Sequence, residues 1–368
     1  MIINSLEVGG AETSLESLCM PLSNSFKIEI ITLSGAGEIS QRLRDKNFRV
    51  HELEFSKSFL PLKECFKLFK LIKLINPDIV HTWMYHSNFF GGIIAKLLRI
   101  RKIIWSVHAF NISPGMLKPS TRLLIKLLGC FSHIIPHHII CCSQESLKVH
   151  EKLYYSKKKM LFIPNGVNTE KFKYSQIFRD EIRSELNMDE KKIYVGCIGR
   201  YDIQKNQIGF LKIASKILQS NKNYHFILVG RGNNLKNSEL LKAINELKLE
   251  KDITLLGERS DIVKILSALD IFALPSKGEA FPVSLCEAMA CQLLCATTSV
   301  GDINLILGGV IKTIDLDKFE LLSDLIIELG EMNTYERNKK GKAMRARVLE
   351  NFSISTIANA HKEIYENA

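Results

Sequence analysis

An α/β architecture built on two parallel sheets is the fold this sequence predicts, and three observations carry that expectation. Short apolar, β-branched segments alternate with helix-periodic segments along the whole chain, the pattern of strand–helix–strand units in a parallel sheet. The 368 residues exceed what one hydrophobic core organises comfortably, so two domains are expected. The alternation also falls into two series, parted near residues 157–174 by a lysine run and by Pro164-Asn165-Gly166, a turn-forming triplet.

In the first series, strands are expected at Ile2–Ser5, Ile28–Leu33, Val50–Leu53, Ile79–His81, Ile103–Val107 and His138–Cys142, each a short run rich in Ile and Val. Between them, apolar residues recur every three or four positions at Thr13–Leu22, Leu62–Ile75, Ser87–Leu98 and Ser120–Cys130, which predicts helices. In the second series the strands are Ile193–Ile198, Phe226–Val229, Ile253–Leu255, Ile271–Leu274, Leu293–Thr297 and Val310–Thr313. The helices there are Gln207–Gln219, Glu239–Leu247, Asp261–Leu269 and Val283–Ala290. Ser353 to Glu366 closes the chain with one more helical pattern. The expected domains are residues 1–170 and 171–352, with 353–368 as a terminal helix.

Composition narrows the function classes. The chain is 46% hydrophobic and 24% charged, as ordinary globular proteins are, and no uncharged apolar run reaches the ~20 residues of a membrane span. No secretory leader is visible at the N-terminus. Nine cysteines lie without a repeating spacing and without the paired C-x2-C of a zinc site, so reduced thiols in a cytoplasmic protein are expected. The net charge of +11 is uneven. Residues 1–170 hold 22 Lys and Arg against 13 Asp and Glu, a net +9, whereas residues 171–368 hold 28 against 26, a net +2. The basic half calls for an anionic partner. No finger, RNP-type strand or arginine-rich helix points to nucleic acid, so a lipid phosphate or an anionic membrane surface is the better fit. The helix around Thr121–Leu128, with Arg122 and Lys126 beside leucines, is the expected place for peripheral membrane contact, although its apolar face equally suits the core.

The most informative stretch runs from Ser276 to Ala290. It sets Glu279 on a loop after the strand Ile271–Leu274 and Glu287 eight positions later, inside a helix that Pro282 is expected to open. The free amides at the helix N-terminus suit a ligand that carries hydroxyls and phosphates. Glu287 then lies about 6 Å further along the axis, where it can meet a different part of that ligand. Two cations stand at another strand end: Arg200 after Gly199, and Lys205 just before the next helix. A guanidinium fork and an ammonium beside a helix N-terminus make a site for a diphosphate.

Glu279-Ala280-Phe281-Pro282 followed by Leu285-Cys286-Glu287-Ala288-Met289-Ala290 resembles the donor-site signature of the retaining glycosyltransferases of family 4, which have the GT-B fold. The resemblance covers most of the chain and is most specific over residues 193–290. It implies two doubly wound, Rossmann-like domains facing a cleft, the first binding the acceptor and the second the nucleotide-sugar, with the C-terminal helix crossing back to the first domain. By the same resemblance Glu279 contacts the donor sugar and Glu287 the ribose, with Ala280, Phe281, Pro282 and Val283 beside them, while Arg200 and Lys205 bind the pyrophosphate. Ala280 replaces the usual glycine, and Asn304 stands near the place of a common Glu. Leu228-Val229-Gly230-Arg231-Gly232 resembles the family's Gly-turn, and Gly257-Glu258-Arg259 the loop that reads the base, which adds Gly230 and Arg259 to the donor set. Ile163-Pro164-Asn165-Gly166-Val167-Asn168 resembles the phrase that opens the second domain.

In the first half, Gly9-Gly10-Ala11-Glu12 resembles the family's GGAE loop beside the donor phosphates, and His108 stands where a family histidine lies near the transferred sugar. The phrase His81 to Asn88 resembles one in members that build cell-surface polysaccharides and offers His86 and Asn88 to the acceptor side. Members have several more residues before the GGAE loop; the sequence leaves open whether the start lies upstream or Met1 stands inside the strand.

These features together predict a retaining transferase that moves a hexosyl or N-acetylhexosaminyl group from a nucleotide-sugar, expected to be a UDP-sugar, to a lipid-linked or polysaccharide acceptor. No cofactor or metal is expected, since no Asp-x-Asp ends a strand, and no nucleic acid partner is expected. A nucleotide-sugar 2-epimerase and a non-catalytic nucleotide-binding subunit are the alternative readings.

Overall fold

The computed structural model describes residues 1–55, 61–108 and 118–367. The chain forms two compact units, Met1–Gly166 joined by the chain from Ile354 onward, and Val167–Ser353 between them.

The first unit is a seven-stranded sheet of β1 (Ile2–Ile3), β2 (Glu29–Thr32), β3 (Arg49–Glu52), β4 (Ile79–Trp83), β5 (Lys102–Val107), β6 (His138–Cys141) and β7 (Met160–Phe162). They run in the order β3-β2-β1-β4-β5-β6-β7, every pair parallel. Parallel strands need crossovers, and α1 (Gly10–Leu22), α2 (Glu38–Asp45), α3 (Leu62–Ile75), α4 (Tyr85–Leu97), α5 (Pro119–Phe131) and α6 (Gln144–Glu151) supply them. Strands covered on both faces must be apolar on both, which is why β5 is buried from end to end. On one face Leu68 and Ile72 of α3, Ile94 of α4, and Ile125 and Leu128 of α5 pack with Trp105. On the other, Leu15 and Leu18 of α1 and Ile39 and Leu43 of α2 pack with Ile104 and Trp83.

The second unit is a five-stranded parallel sheet of β8 (Ile193–Ile198), β9 (Tyr224–Val229), β10 (Ile253–Gly257), β11 (Ile271–Leu274) and β12 (Leu294–Thr297), ordered β10-β9-β8-β11-β12. Around it lie α7 (Gln176–Glu185), α8 (Gln207–Ser220), α9 (Ser238–Glu246), α10 (Ile262–Ala268), α11 (Val283–Ala290), α12 (Ile303–Leu307), α13 (Leu322–Glu331) and α14 (Thr334–Asn351). The last helix, α15 (Ile354–Asn367), belongs to the first unit, as expected. Its Ile357 and Tyr365 complete the α1–α2 face; Tyr365 Oη bonds His81 Nδ1 at 2.6 Å, and the Lys102 ammonium donates to the Tyr365 carbonyl.

In both sheets the strand order reverses beside the first strand of the series, between β1 and β4 and between β8 and β11. Such a switch point opens a crevice at the strands' C-terminal ends. The elements outside the expected set include short or polar ones, such as α2, α6, α7 and the three-residue edge strand β7, and also the apolar α13 and the long, charged α14. One expected strand does not form. Val310–Thr313 stays irregular, with a single parallel bridge between Thr298 and Ile314. Gly308 and Gly309 both take positive φ, and Thr313 donates its hydroxyl to Asn304 Oδ1, so the segment is spent on a turn and a side-chain contact.

The start of β11, which carries the Glu279 loop at its other end, is held by charge. Asp270 accepts from Arg179 at 2.8 Å, from Arg183 at 3.0 Å and from the Tyr194 amide at 2.9 Å, with both ion-paired arginines mostly buried. Removing the carboxylate leaves Arg179 without a counter-charge and Arg183 with only the exposed Glu190, at 3.3 Å. Asp270→Ala is expected to lower unfolding stability by about 3 kcal/mol, read by urea denaturation; a loss indistinguishable from zero would remove this clamp from the account.

Candidate active site

The chain leaves β11 through Pro275 into the loop that carries Glu279. The Glu279 side chain is almost fully buried, and one oxygen, Oε1, accepts from Ser276 Oγ at 2.6 Å and from Lys205 Nζ at 2.7 Å. Lys205 comes from the β8–α8 connection, so the structure joins two residues 74 positions apart in sequence. The connection is fixed by Asn206, which takes a left-handed conformation at the N-cap of α8 and donates to the Pro275 carbonyl at 3.0 Å. The Lys277 amide returns a bond to the Gln204 carbonyl at 2.7 Å, and Thr298 Oγ1 holds the Ser276 carbonyl at 2.6 Å. Behind the loop, Gly301 has φ +53°, and a Cβ there would lie 2.1 Å from the Glu279 carbonyl oxygen; only glycine fits.

Pro282 stands one position earlier than the sequence suggested. It is the N-cap of α11, with extended ψ, and Val283 is the first helical residue. The Phe281 side chain turns into the core and meets Phe352 edge-on at 5.5 Å, so it supports the loop instead of facing a ligand; Ala280 and Val283 remain half-buried beside it.

Arg200 is exposed after β8 and pairs with Asp202 at 3.1 Å. Its carbonyl accepts from Gln207 Nε2 at 2.8 Å, and the neighbouring Gly199 carbonyl accepts from Asn233 Nδ2 at 2.7 Å. Gly230 has φ +126°, and a Cβ there would sit 2.3 Å from the Gly199 oxygen, so this glycine serves the close approach of two strand ends. Arg259 is already engaged, by Asp261 at 2.6 Å and Glu185 at 2.8 Å. It braces the end of β10 to α7.

Glu287 lies on the half-buried side of α11. Among the described residues no side chain bonds or pairs with its carboxylate. Burial raises its pKa to about 7, only partly opposed by the Lys171 ammonium.

In the first unit, Gly9 is the N-cap of α1 with an extended backbone, and a Cβ at Gly10 would meet open space, so the α1 N-terminus is accessible. His108 follows β5, its ring stacked on Trp83 with centroids 5.0 Å apart and planes 17° from parallel. His108, Trp83, Ser106 and His361 line one small cavity, and His108 Nε2 is buried there without a hydrogen-bond partner. Burial first, and then the His361 ring, lower the His108 pKa to about 4, so the imidazole is neutral at pH 7. His86 is exposed on the first turn of α4. Asn88 is not available to an acceptor: it is fully buried, accepting from Thr82 Oγ1 at 2.7 Å and donating to the Ser106 carbonyl at 3.3 Å. All nine cysteines are free thiols, seven of them buried. Among the described residues no group of three or more His, Cys, Asp or Glu is placed to hold a metal ion, and no helix is long and apolar enough to cross a membrane.

Comparison with known proteins bears on this arrangement. The profile described as Glycosyltransferase Family 4 matches residues 8–171, and that described as Glycosyl transferases group 1 matches residues 178–308. The chain is 31% identical over 297 residues to the Campylobacter jejuni N,N'-diacetylbacillosaminyl-diphospho-undecaprenol α-1,3-N-acetylgalactosaminyltransferase, covering 76% of each protein. It belongs to the family 4 glycosyltransferases. An Escherichia coli enzyme named UDP-Gal:α-D-GlcNAc-diphosphoundecaprenol α-1,3-galactosyltransferase is 29% identical over 312 residues, 83% of this chain and 79% of that one. Anabaena HepE, crystallised with UDP and glucose, superposes with a TM-score of 0.87 at 20% identity over 100% of this chain and 99% of its own, a likeness of GT-B fold.

For a glycosyltransferase of this family, the residues that motif reading overlooked are the supports: Ser276, Thr298, Asn206, Asn233 and Gly301. Ser276 stood inside the quoted stretch, but no spacing rule marks a serine three residues before a loop glutamate. Asn206 shows itself only through its left-handed backbone.

The Glu287 carboxyl gives a test that needs no substrate. Its folded pKa lies above the ordinary 4.5, so below about pH 4.5 it is protonated in both states and costs nothing; as pH rises toward 7 the unfolded chain releases the proton first and the fold loses stability. Glu287→Gln removes that loss. The variant's melting temperature should rise relative to wild type between pH 5 and pH 8, by an amount worth on the order of 2 kcal/mol once partial exposure is allowed for. An identical gap at both pH values would contradict the assignment.

Proposed function

We propose that this chain transfers a hexosyl or N-acetylhexosaminyl group from a UDP-sugar to a lipid-linked acceptor in cell-surface glycan synthesis, with retention of configuration and without a metal, at the inner face of the cytoplasmic membrane. The single observation that carries the reading is the loop after β11, where buried Glu279 is bonded to Lys205 next to the N-terminus of α11. The names of the E. coli and C. jejuni relatives, both acting on undecaprenyl-diphosphate sugars, support the lipid-linked acceptor; UDP in HepE and in the E. coli donor supports the nucleotide.

In this reading the pyrophosphate takes the Lys205 ammonium and the Arg200 guanidinium, and both cations stabilise charge as the nucleoside diphosphate departs. Losing Lys205 frees Glu279 Oε1, still held by Ser276, to accept hydroxyls of the donor sugar. Glu287 accepts from the ribose hydroxyls, and this contact favours its ionised form; the groups around it supply no competing bond. The glycines of the α1 N-terminus, Gly9 and Gly10, let a phosphate or sugar approach backbone amides. His108, neutral and fixed by Trp83, serves as a hydrogen-bonding group to the transferred sugar and not as a charged acid. Same-face attack by the acceptor hydroxyl, with the departing phosphate taking its proton, needs no side-chain nucleophile.

Transfer is measured by mass spectrometry with UDP-Gal or UDP-GalNAc and a short-chain polyprenyl-diphosphate-sugar acceptor. Lys205→Ala and Glu287→Ala are each expected to lower the rate by at least about 100-fold. Full activity in either variant would sink the donor-site assignment, and a sugar altered in the absence of acceptor would identify an epimerase instead.

A further inference from the structure

No loop separates β4 from α4. Trp83 is in register with Ser106 of β5, the Met84 amide donates to the Ser106 carbonyl at 3.1 Å, and Tyr85 is already the first residue of α4. One residue therefore takes the whole change of direction, and Met84 does so at φ +74°, ψ 161°. That region is open to glycine and strained for any residue with a Cβ. The other eight non-glycine residues of positive φ among the described residues have φ of 48–63°. Asn76 and Asn206, the two of them that cap helices, have ψ of 57° and 44°, an ordinary left-handed turn.

The surroundings hold the strained backbone in place. Before it, Trp83 is buried and stacked on His108. After it, Tyr85 is buried, with its hydroxyl 2.9 Å from His150 Nε2. Buried Asn88 ties Thr82 to the Ser106 carbonyl, and its amide donates to the Met84 carbonyl at 2.9 Å. The Met84 side chain is fixed less: it is half-buried and joins neither apolar cluster of the unit among the described residues. Glycine would take this backbone without strain, so what the strain maintains is a thioether at the end of β4. A strained strand-to-helix turn presents its central side chain at the C-terminal edge of a sheet.

Strand order gives that thioether its neighbours. β4 lies between β1 and β5 at the switch point of the first sheet, so Met84 follows the strand between the one that leads to Gly9 and Gly10 and the one that leads to His108. A thioether is soft and apolar; it offers little to sugar hydroxyls and packs well against a methyl group. We infer that Met84 is a specificity-determining residue for the acceptor, receiving the acetamido methyl of an N-acetylated acceptor sugar. This role rests on the proposed function, which makes a polyprenyl-diphosphate sugar the acceptor and gives the ribose and most of the diphosphate to residues of the second unit. The acetamido methyl is the apolar group that separates a 2-acetamido sugar from the corresponding hexose.

The test compares two polyprenyl-diphosphate acceptors that differ only at C2, GlcNAc and glucose, with the full chain and one UDP-sugar donor. Wild type is expected to favour the GlcNAc acceptor in kcat/KM by at least about tenfold. Met84→Ala and Met84→Gly should lose most of that preference through a higher acceptor KM, with kcat and donor KM within about twofold of wild type, and Met84→Leu should keep it. Without substrate, Met84→Gly should melt roughly 2–4 °C above Met84→Ala, because only glycine relieves the backbone. An unchanged thermal shift by UDP in each variant establishes that the variants fold. A wild type without preference for GlcNAc, or variants that retain it, would overturn the inference. So would a change confined to kcat or to the choice between UDP-Gal and UDP-GalNAc, which would give Met84 to the donor sugar, or a glycine variant that melts no higher than the alanine one. Absence of wild-type transfer to either acceptor would sink the proposed function itself, and this role with it, so the two failures read out differently.

Discussion

One buried ion pair organises the candidate site. Glu279 cannot sit in so dry a place as an unpaired anion; its charge is met by Lys205, and a second bond comes from Ser276. Such a pair contributes little net stability, because desolvating both groups offsets their attraction. What it does is register. Lys205 belongs to the loop after β8 and Glu279 to the loop after β11, so their contact sets the two strand ends across the switch point to each other. The supports make sense in that light: Asn206 on Pro275, Lys277 on Gln204 and Gly301 under Glu279 each hold one loop against the other. In the proposed reading the same pair is also a charge reserve. A diphosphate that takes the ammonium leaves a positioned carboxylate behind it, ready for hydroxyl donors.

The fold explains why the candidate residues gather on these loops. A parallel sheet sends every strand's C-terminal end to the same edge, and every crossover helix starts there with its unpaired amides. Gly9 and Gly10 follow β1, His108 follows β5, Arg200 follows β8, and Glu279 follows β11. Each half of the chain repeats one solution: apolar strands in the middle, a glycine where backbone must come close, and a polar residue just past the strand.

Much of this was legible in the sequence. Alternation of β-branched runs with helical periodicity marked eleven strands that form, because a doubly covered parallel strand has to be apolar on both faces. The Glu279–Glu287 spacing and the Arg200–Lys205 cations were visible for a different reason: charged residues at strand ends have no packing to explain them. What escaped was what packing and pairing decide. Val310–Thr313 has strand composition, yet Gly308 and Gly309 turn it away. Arg259 and Asn88 looked available, yet Asp261, Glu185, Thr82 and the Ser106 carbonyl already occupy them. A sequence lists donors and acceptors without saying which ones have already met.

The same distinction between counted and paired charge gives the first unit its character. Its net +9 over residues 1–170 would be unremarkable if spread evenly, since a basic surface serves solubility. It is not spread evenly. Glu16, Glu29 and Glu52 neutralise cations around α2, β2 and β3, so that side of the unit spends its charge internally. On the α3–α4–α5 side none of the Lys and Arg of these helices joins an ion pair among the described residues, and exposed Phe66, Leu74 and Leu97 lie with them. Lys70 lies over the Phe66 ring, an attraction between an ammonium and an aromatic face that needs no carboxylate. The two faces of one sheet therefore differ in how charge is met, by carboxylates around α2, β2 and β3 and by solvent and a ring face around α3.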